Sequence, residues 1–436
     1  MAGNDRLRLY AKKLAPNDNS KNQVYLGGGF GALNIIPHGP IETDSSENAG
    51  SIRDRAKADV VFSWMTTEGP VRAPGAQLIL YPKYPEVRMS GFLKGSRRGP
   101  SEVMASREPG RVLFIGVLPG GKCLGLAVFS SHPLAKELET VRNPENSGVF
   151  VDLSNYQTGL VDTKASLLET LCSISRKGWL DSKKLGGDGI AMSYAARNGG
   201  GYTLEAELGI SPNSHAEPDF LGWEVKQYGV TNFAELKAKS PVTLMTPEPS
   251  GGDYRDLGVD EFLRRYGYPD KGGIADRINF GGIYANNSDF HKDTNLALRL
   301  TGYNATSDKI DDLGGGLVLV TREGKIAAKW DFSNMIDHWN RKHAKAVYVP
   351  SLASESPARY RYSNVVNVCE GTDFLLFLKA VSSGVIYLDP ALKLESASLP
   401  NPAVKRRNQF RIRQSAIHSL YHSALTLDAC ANPRPT

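Results

Sequence analysis

Residues 217–228 read EPDFLGWEVKQY. Asp219, Glu224 and Lys226 stand here among residues that otherwise belong in a core. Side chains of a strand alternate between its faces. A strand through Phe220 and Tyr228 therefore sends Leu221, Trp223 and Val225 one way, and Gly222, Glu224, Lys226 and Tyr228 the other. Pro218 restricts the backbone ahead of it and suits a strand entry or bend. Glu224 and Lys226 are then neighbours on one face, with Asp219 arriving from the strand's start. Two converging carboxylates repel each other unless a cation lies between them. Mg²⁺ takes oxygen ligands and keeps several waters. Asp219 and Glu224 are therefore candidate metal ligands, and Lys226 is a candidate for orienting or deprotonating a water. Together they suit metal-assisted attack on a phosphodiester. A solvated strand with alternating Glu and Lys would show the same E-x-K spacing. The Pro-Asp just ahead of it is what sets this stretch apart.

Working outward, 436 residues exceed one ordinary core and point to two domains. A hydrophobic share of 41% beside a charged share of 22% fits a soluble globular protein. No apolar run is long enough to span a bilayer. The opening MAGNDRLRLYAKK lacks the apolar centre of a signal peptide, so a cytoplasmic location is expected. The four cysteines, Cys123, Cys172, Cys369 and Cys430, are far apart and form no C-x-x-C pair. They read as free thiols, with neither zinc site nor disulfide framework indicated. The net charge of +6 is mild, but basic residues cluster at 7–13, 94–102 and 405–413. Solvated surface explains any one such run. Three runs, one interleaved with Phe410 and Ile412, favour phosphate contacts.

Residues 1–150 read as β-rich. QLILYP (77–82), RVLFIGVL (111–118) and CLGLAVFS (123–130) are short apolar runs, the last two flanking a PGGK turn. Residues 38–58 read as a long polar loop, and 145–163 as a connector. Helical spacing of Ala165, Leu167, Leu168, Leu171 and Ile174 predicts a helix opening the second domain. The glycines of 183–210 either bring backbone close to a ligand or form a surface loop. Beyond them, 314–332 predicts a strand pair and SNMIDHWNRKHAK (333–345) a helix. KAVYVPS and GVIYLDP, with a helix-like SAIHSLYHSALTL (415–427), complete an α+β domain.

Pro-Asp, a short gap and E-x-K resemble the PD-(D/E)xK nuclease signature. The longer stretch GGGYTLEAELGISPNSHAEPDFLGWEVKQ (199–227) resembles the MvaI/BcnI restriction endonucleases and their mismatch-repair relative MutH. The resemblance implies a PD-(D/E)xK restriction-endonuclease-like α/β fold and Mg²⁺-dependent cleavage of double-stranded DNA, leaving a 5′-phosphate and a 3′-hydroxyl. It assigns Glu205, Asp219, Glu224 and Lys226 to catalysis, with Asp219 and Glu224 on the metal. Tyr202 departs from relatives that carry a smaller or basic residue there. GVIYLDPALK (384–393) and KRRNQFRIR (405–413) resemble the family's final base-reading segments. Relatives often carry a histidine and an acid in that loop, whereas Arg406, Arg407, Asn408 and Gln409 stand here. Asp389, Arg406, Arg407, Asn408, Arg411 and Arg413 are its candidate DNA contacts. Arg suits guanine, and Asn or Gln suits adenine.

YAKKLAPNDNSKNQVYLGG (10–28) and LILYPKYPEVRMSGFLKGS (78–96) resemble the EcoRII effector domain, a small DNA-binding pseudobarrel. By that resemblance Lys13, Gln23, Lys83, Glu86, Arg88 and Lys94 fall at its DNA-reading arms. A generic β domain contacting protein is the other reading of these residues. The expectation is thus a mixed α+β chain with an effector domain over 1–150, a linker over 151–163 and a catalytic domain over 164–436. The combination resembles the type IIE restriction enzymes. It implies a monomer, two cognate sites bound per chain, a CCWGG sequence and a cognate DNA methyltransferase in the host. A MutH-like nickase in repair and an inactive DNA-binding regulator are the alternatives. The intact Asp219, Glu224 and Lys226 argue against the latter.

Overall fold

The computed structural model describes residues 7–18, 23–43, 55–81, 83–141, 145–154, 162–196, 198–210, 219–356 and 358–431. Among them, the N-terminal half is built from two sheets. The larger, seven-stranded sheet is centred on the antiparallel hairpin Val112–Leu118 and Lys122–Val128. Gly120 and Gly121 both take φ +75° at the tip, where a side chain would be strained. Arg8–Lys13 lies against the first of these strands and the parallel Phe62–Thr66 against the second. The smaller sheet runs Gln23–Gly28, Glu86–Ser90, Gln77–Tyr81, Ala56–Asp59 and Glu42–Thr43. Alternation along Gln77–Tyr81 and Glu86–Ser90 turns Leu78, Leu80, Val87 and Met89 inward, where they join Phe62, Trp64 and Ile115 in one core. Arg111 is fully buried in this half, its guanidinium donating to the carbonyls of Glu108, Val103 and Ala15 at 2.8–2.9 Å. No closed barrel forms among the described residues.

Two expectations for this half are corrected. Within the stretch read as a loop over 38–58, Ala56–Asp59 is a strand paired with Gln77–Tyr81. Its neighbours 44–54 lie outside the described residues. The connector over 145–163 begins as structure: Glu145–Ser147 and Phe150–Asp152 form the edge of the large sheet, with Phe150 fully buried. Polar composition hid both: Ala56–Asp59 buries only the small Ala56 and Ala58, and Glu145–Ser147 lies at a sheet edge.

The C-terminal half opens with the expected helix, Thr163–Arg176. Asp162 caps it, its Oδ1 accepting from the Lys164 and Ala165 amides at 2.9 and 3.0 Å. Leu167, Leu171 and Ile174 face a core with Trp223, Val225, Val347 and Val368. A six-stranded mixed sheet lies beneath. Its longest strand, Lys345–Glu355, pairs parallel with Glu224–Gly229, setting Glu224 opposite Ala346 and Lys226 opposite Tyr348. The strand pair at 314–332 and the helix Phe332–His343 form as expected. The helix-like 415–427 does not: Gln414–Leu420 is a 3-10 turn, and Ser423–Asp428 is a strand on Val365–Glu370. Tertiary pairing overrides the local spacing there. Among the described residues no helix is long and apolar enough to cross a membrane.

The halves share a core. One continuous cluster of buried apolar side chains includes Phe30, Leu33 and Ile36 as well as Trp339, Phe374 and Phe377.

The reading of four free thiols is also corrected. Cys172, on the opening helix, is disulfide-bonded to Cys430, with Cα atoms 5.0 Å apart. Cys123 and Cys369 are free and buried. A separation of 258 residues concealed the pairing. Alkylation of the denatured, unreduced protein should therefore label two of the four cysteines. Cys430→Ser should lower stability by about 2–4 kcal/mol in chemical denaturation. Four labelled thiols would contradict the bridge.

Candidate active site

The strand Glu224–Gly229 divides two cores. Trp223 and Val225 point toward the opening helix, and Tyr228 toward the core shared by the halves. Glu224 and Lys226 share the other face, as the alternation requires. The expected strand over 220–228 is corrected at its start. Phe220 and Trp223 exchange backbone hydrogen bonds at 2.9 and 2.8 Å across a tight turn. Leu221 (φ 49°) and Gly222 (φ 86°) occupy its centre. Glycine tolerates that region freely and leucine does not, so the turn carries local strain. The turn folds Asp219 back over the strand, where its Oδ2 accepts the Val225 amide at 2.9 Å. Asp219 thereby meets Glu224 through the backbone. Pro218 lies outside the described residues.

Glu205 arrives on the helix Gly199–Glu207. Of the glycines for which ligand approach and a surface loop both stood open, Gly199 and Gly200 let this helix approach the sheet. A Cβ at Gly199 would press on Tyr360, and one at Gly200 on Gln227. The Tyr362 hydroxyl donates to the Gly200 carbonyl at 2.7 Å. This packing sets Glu205 in the electrostatic reach of Asp219, Glu224 and Lys226.

The four groups titrate differently. Burial, then the charge of Asp219, pushes Glu205 up to about 7. Burial, then Glu224, pushes Asp219 up to about 6 against the Val225 hydrogen bond. Glu224 is 2% exposed, and burial alone would raise it. The Lys226 ammonium, bonded to its Oε1, outweighs that burial and holds the carboxyl below its usual value. Burial likewise opposes the charge on Lys226, and its partner Glu224 raises it nonetheless. The second oxygen, Glu224 Oε2, is buried without a hydrogen-bond partner.

A further element was missed in the sequence. The helix Phe332–His343 directs His338 and Lys342 into the field of these carboxylates, since Lys342 acts on Glu205, Asp219 and Glu224. His343, fully buried, stacks on Trp339 at 4.1 Å, and its Nε2 meets the Leu244 carbonyl at 3.1 Å. Burial, then Lys226, lowers it to about 3, so it is neutral at physiological pH. The i,i+4 spacing of His338 and Lys342 was legible. Their direction was not.

Two carboxylates converging beside a lysine suit a divalent metal ion. Among the described residues no cluster of three or more metal-ligating side chains is assembled. The residues nonetheless fit an ion of the Mg²⁺ type. Such an ion takes one or two carboxylates and completes its shell with water and substrate oxygens. An orphaned buried oxygen on Glu224 and an adjacent acid raised by burial and then by like charge are the donors it would satisfy.

The candidate base-reading residues divide. Arg406, Arg407 and Arg413 are exposed, and Arg407 lies within electrostatic reach of Tyr202, three residues before Glu205. Arg411 bonds Asp389 and the Pro241 carbonyl, both at 2.6 Å. Asn408 is buried, donating to Glu248 at 3.2 Å and to Tyr254 at 3.1 Å. As folded, it anchors the loop from inside. In the N-terminal half, Gln23, Glu86 and Arg88 come together. Arg88 donates to Glu86 at 2.9 Å and to Gln23 at 3.4 Å, beside a cavity of about 350 Å³ also lined by Lys12 and Asp18. Lys83 and Lys94 are exposed toward the two ends of that strand. Lys13 is exposed and paired with Glu139 at 2.6 Å.

The sequence model of the MvaI/BcnI restriction endonuclease family matches residues 168–421, more than half of the chain. The chain belongs to that family, and is a site-specific restriction endonuclease. Two solved structures of the restriction endonuclease MvaI are similar to it. The complex with cognate DNA is 17% identical, covering 62% of this chain and 99% of that one, with a TM-score of 0.46. The DNA-free form is 16% identical over the same shares, with a TM-score of 0.34. No curated protein sequence matches the chain.

The raised acids have a consequence for metal-free protein. Glu205 and Asp219 bind protons more tightly folded than unfolded. Their contribution to stability is present below about pH 4 and is lost as pH rises through about 6–7. Glu224, which is lowered, works in the opposite sense in the acid range. In EDTA, Asp219→Asn should therefore gain melting temperature over wild type at pH 8, keep part of that gain at pH 5 and lose it below about pH 4. A gain independent of pH would show that Asp219 ionises freely.

Proposed function

We propose that this MvaI/BcnI-family chain is a type II restriction endonuclease that hydrolyses double-stranded DNA with Mg²⁺. The observation that carries the reading is Asp219 locked to the Val225 amide beside the buried Glu224–Lys226 pair. Asp219 and the free oxygen of Glu224 would hold the ion. When bound, it would polarise the scissile phosphate and acidify a water. Lys226, kept protonated by Glu224, would orient the attacking water and donate to a phosphate oxygen. Glu205 would hold the outer side of the site. Water oxygen bonds to phosphorus, and the bond to the 3′ oxygen breaks, leaving a 3′-hydroxyl and a 5′-phosphate.

Arg406, Arg407 and Arg413 would contact DNA from the exposed loop, with Asp389, Asn408 and Arg411 holding it in shape. The N-terminal half would be an EcoRII-like effector domain of pseudobarrel type, reading a second cognate site through Gln23, Lys83, Glu86, Arg88 and Lys94, with Lys13 nearby. Its support is the gathering of Gln23, Glu86 and Arg88 at one place. The arrangement would then be that of the monomeric type IIE enzyme UbaLAI, with CCWGG as the site. It would act in the cytoplasm beside a methyltransferase that protects host DNA.

Incubation with phage DNA and Mg²⁺, followed by sequencing of the fragment ends, tests the reading. Recurrent ends at one short sequence support it, and random ends or intact DNA sink it. Asp219→Ala, Glu224→Ala and Lys226→Ala should each abolish cleavage with the fold retained, because metal and electrostatic contributions of this kind supply several kcal/mol of barrier. Ca²⁺ should permit binding without turnover.

Arg406→Ala should cost about 1–3 kcal/mol at the cognate site and less on random DNA. Equal losses on both, with a shallower salt slope, would make Arg406 a phosphate contact.

A further inference from the structure

We propose that the contact of residues 29–34 with residues 372–373 couples the N-terminal half to the catalytic centre, with Asp373 as its positioning residue. The proposal rests on reading the N-terminal half as a second DNA site, and gives that site a physical route to the first.

The route begins at the turn 83–85, between Lys83 and Glu86. The Pro85 carbonyl accepts the Gly29 amide at 2.6 Å. The Tyr84 ring lies 5.5 Å from the ammonium of Lys309, which belongs to the C-terminal half. Gly29 takes φ +73°, and a Cβ there would overlap the Asp373 carboxylate. The next amide, of Phe30, donates to Asp373 Oδ2 at 2.8 Å. Asp373 Oδ1 accepts the Leu375 amide at 2.8 Å, capping the helix Phe374–Ser382. Asn34 donates to the Thr372 carbonyl at 3.0 Å.

Thr372 carries the contact inward. Its hydroxyl accepts from Trp339 Nε1 at 3.1 Å and donates to the Leu420 carbonyl at 2.6 Å. Trp339 stacks on His343, on the same helix that directs Lys342 at the catalytic carboxylates. The Tyr84–Lys309 contact is exposed, whereas from Gly29 to Trp339 the links are hydrogen bonds, and Trp339 stacks on His343 in the buried interior. One carboxylate serves two elements. If DNA seated on the turn 83–85 moves Gly29 and Phe30, Asp373 cannot follow without uncapping its helix. Packed interfaces of this kind settle into discrete arrangements and do not deform smoothly. A ligand shifts them only through a difference in affinity for the two states.

Asp373→Asn keeps the shape but turns one acceptor into a donor, so it cannot serve both amides. Gly29→Ala drives a methyl into the same carboxylate. The experiment uses the full chain with Mg²⁺. It measures cleavage of a one-site plasmid, with and without a short duplex of the site read from the fragment ends, made with a non-hydrolysable backbone. Wild type should be stimulated on the order of fivefold or more. Both variants should retain the basal rate and bind the duplex in Ca²⁺, yet show less than about twofold stimulation. Stimulation of Asp373→Asn equal to that of wild type overturns the coupling and leaves the second site standing. No stimulation of wild type overturns the second site and the coupling together. Should Asp373→Asn fail to fold, Lys309→Ala replaces it, with partial loss of stimulation expected and wild-type stimulation overturning the proposal.

Discussion

Glu224 and Lys226 form a charged pair on a strand buried from both sides, and most of the C-terminal half is arranged around that fact. Bringing two charges out of water costs several kcal/mol per ion, and their attraction repays this only with good geometry and further partners. Here the repayment is incomplete, since one oxygen of Glu224 has no hydrogen bond. A fold optimised for stability alone would place an apolar residue there. The strand is instead held rigid by parallel pairing with Lys345–Glu355 and by Trp223 and Val225 beneath it. The stability lost at the pair is offset by the sheet and core that position it. An oxygen left unsatisfied in a rigid frame is available to a ligand at little reorganisation cost.

The same constraint explains the neighbours. Burial of Glu205 and Asp219 beside Glu224 concentrates negative charge, and both acids respond by holding their protons more tightly. Countercharge comes from Lys226 on the strand and Lys342 on the helix opposite. His343 lies closer to the core and is neutral, so it adds shape through its stack on Trp339 without adding charge. The turn at Leu221 and Gly222 is strained for a reason. A straight strand would carry Asp219 away from Glu224, and the reversal brings it back to the Val225 amide.

Much of this was legible in the sequence. The spacing of Asp219, Glu224 and Lys226 marked the candidate site, because period-two alternation is a local rule. The opening helix and the pair at 314–332 followed from local periodicity as well. What escaped reading depended on distant partners. The glycines at 199 and 200 are explained by Tyr360 and Gln227, neither of which is near them in sequence. Asn408 reads in sequence as a base-reading amide, and its burial against Glu248 and Tyr254 depends on residues 160 and 154 positions away. Ser423–Asp428 has enough helical spacing to mislead, and only its register with Val365–Glu370 decides the matter. Lys342 carries no motif at all. Its place in the site is fixed by the helix that precedes Lys345–Glu355.

The junction of the halves extends the argument from the site to the whole chain. Residues on both sides contribute to a single apolar cluster, so the two halves do not behave as beads on a string. Apolar contact of this kind is non-directional and would tolerate small slips. The Phe30–Asp373 and Asn34–Thr372 hydrogen bonds do not tolerate them, because they fix distance and angle at once. A shared core supplies the affinity between the halves, and a few buried polar bonds supply their register. Thr372, which takes one of those bonds on its carbonyl, accepts Trp339 on its hydroxyl. Trp339 lies on the helix Phe332–His343, so the junction and the candidate site are joined through one element.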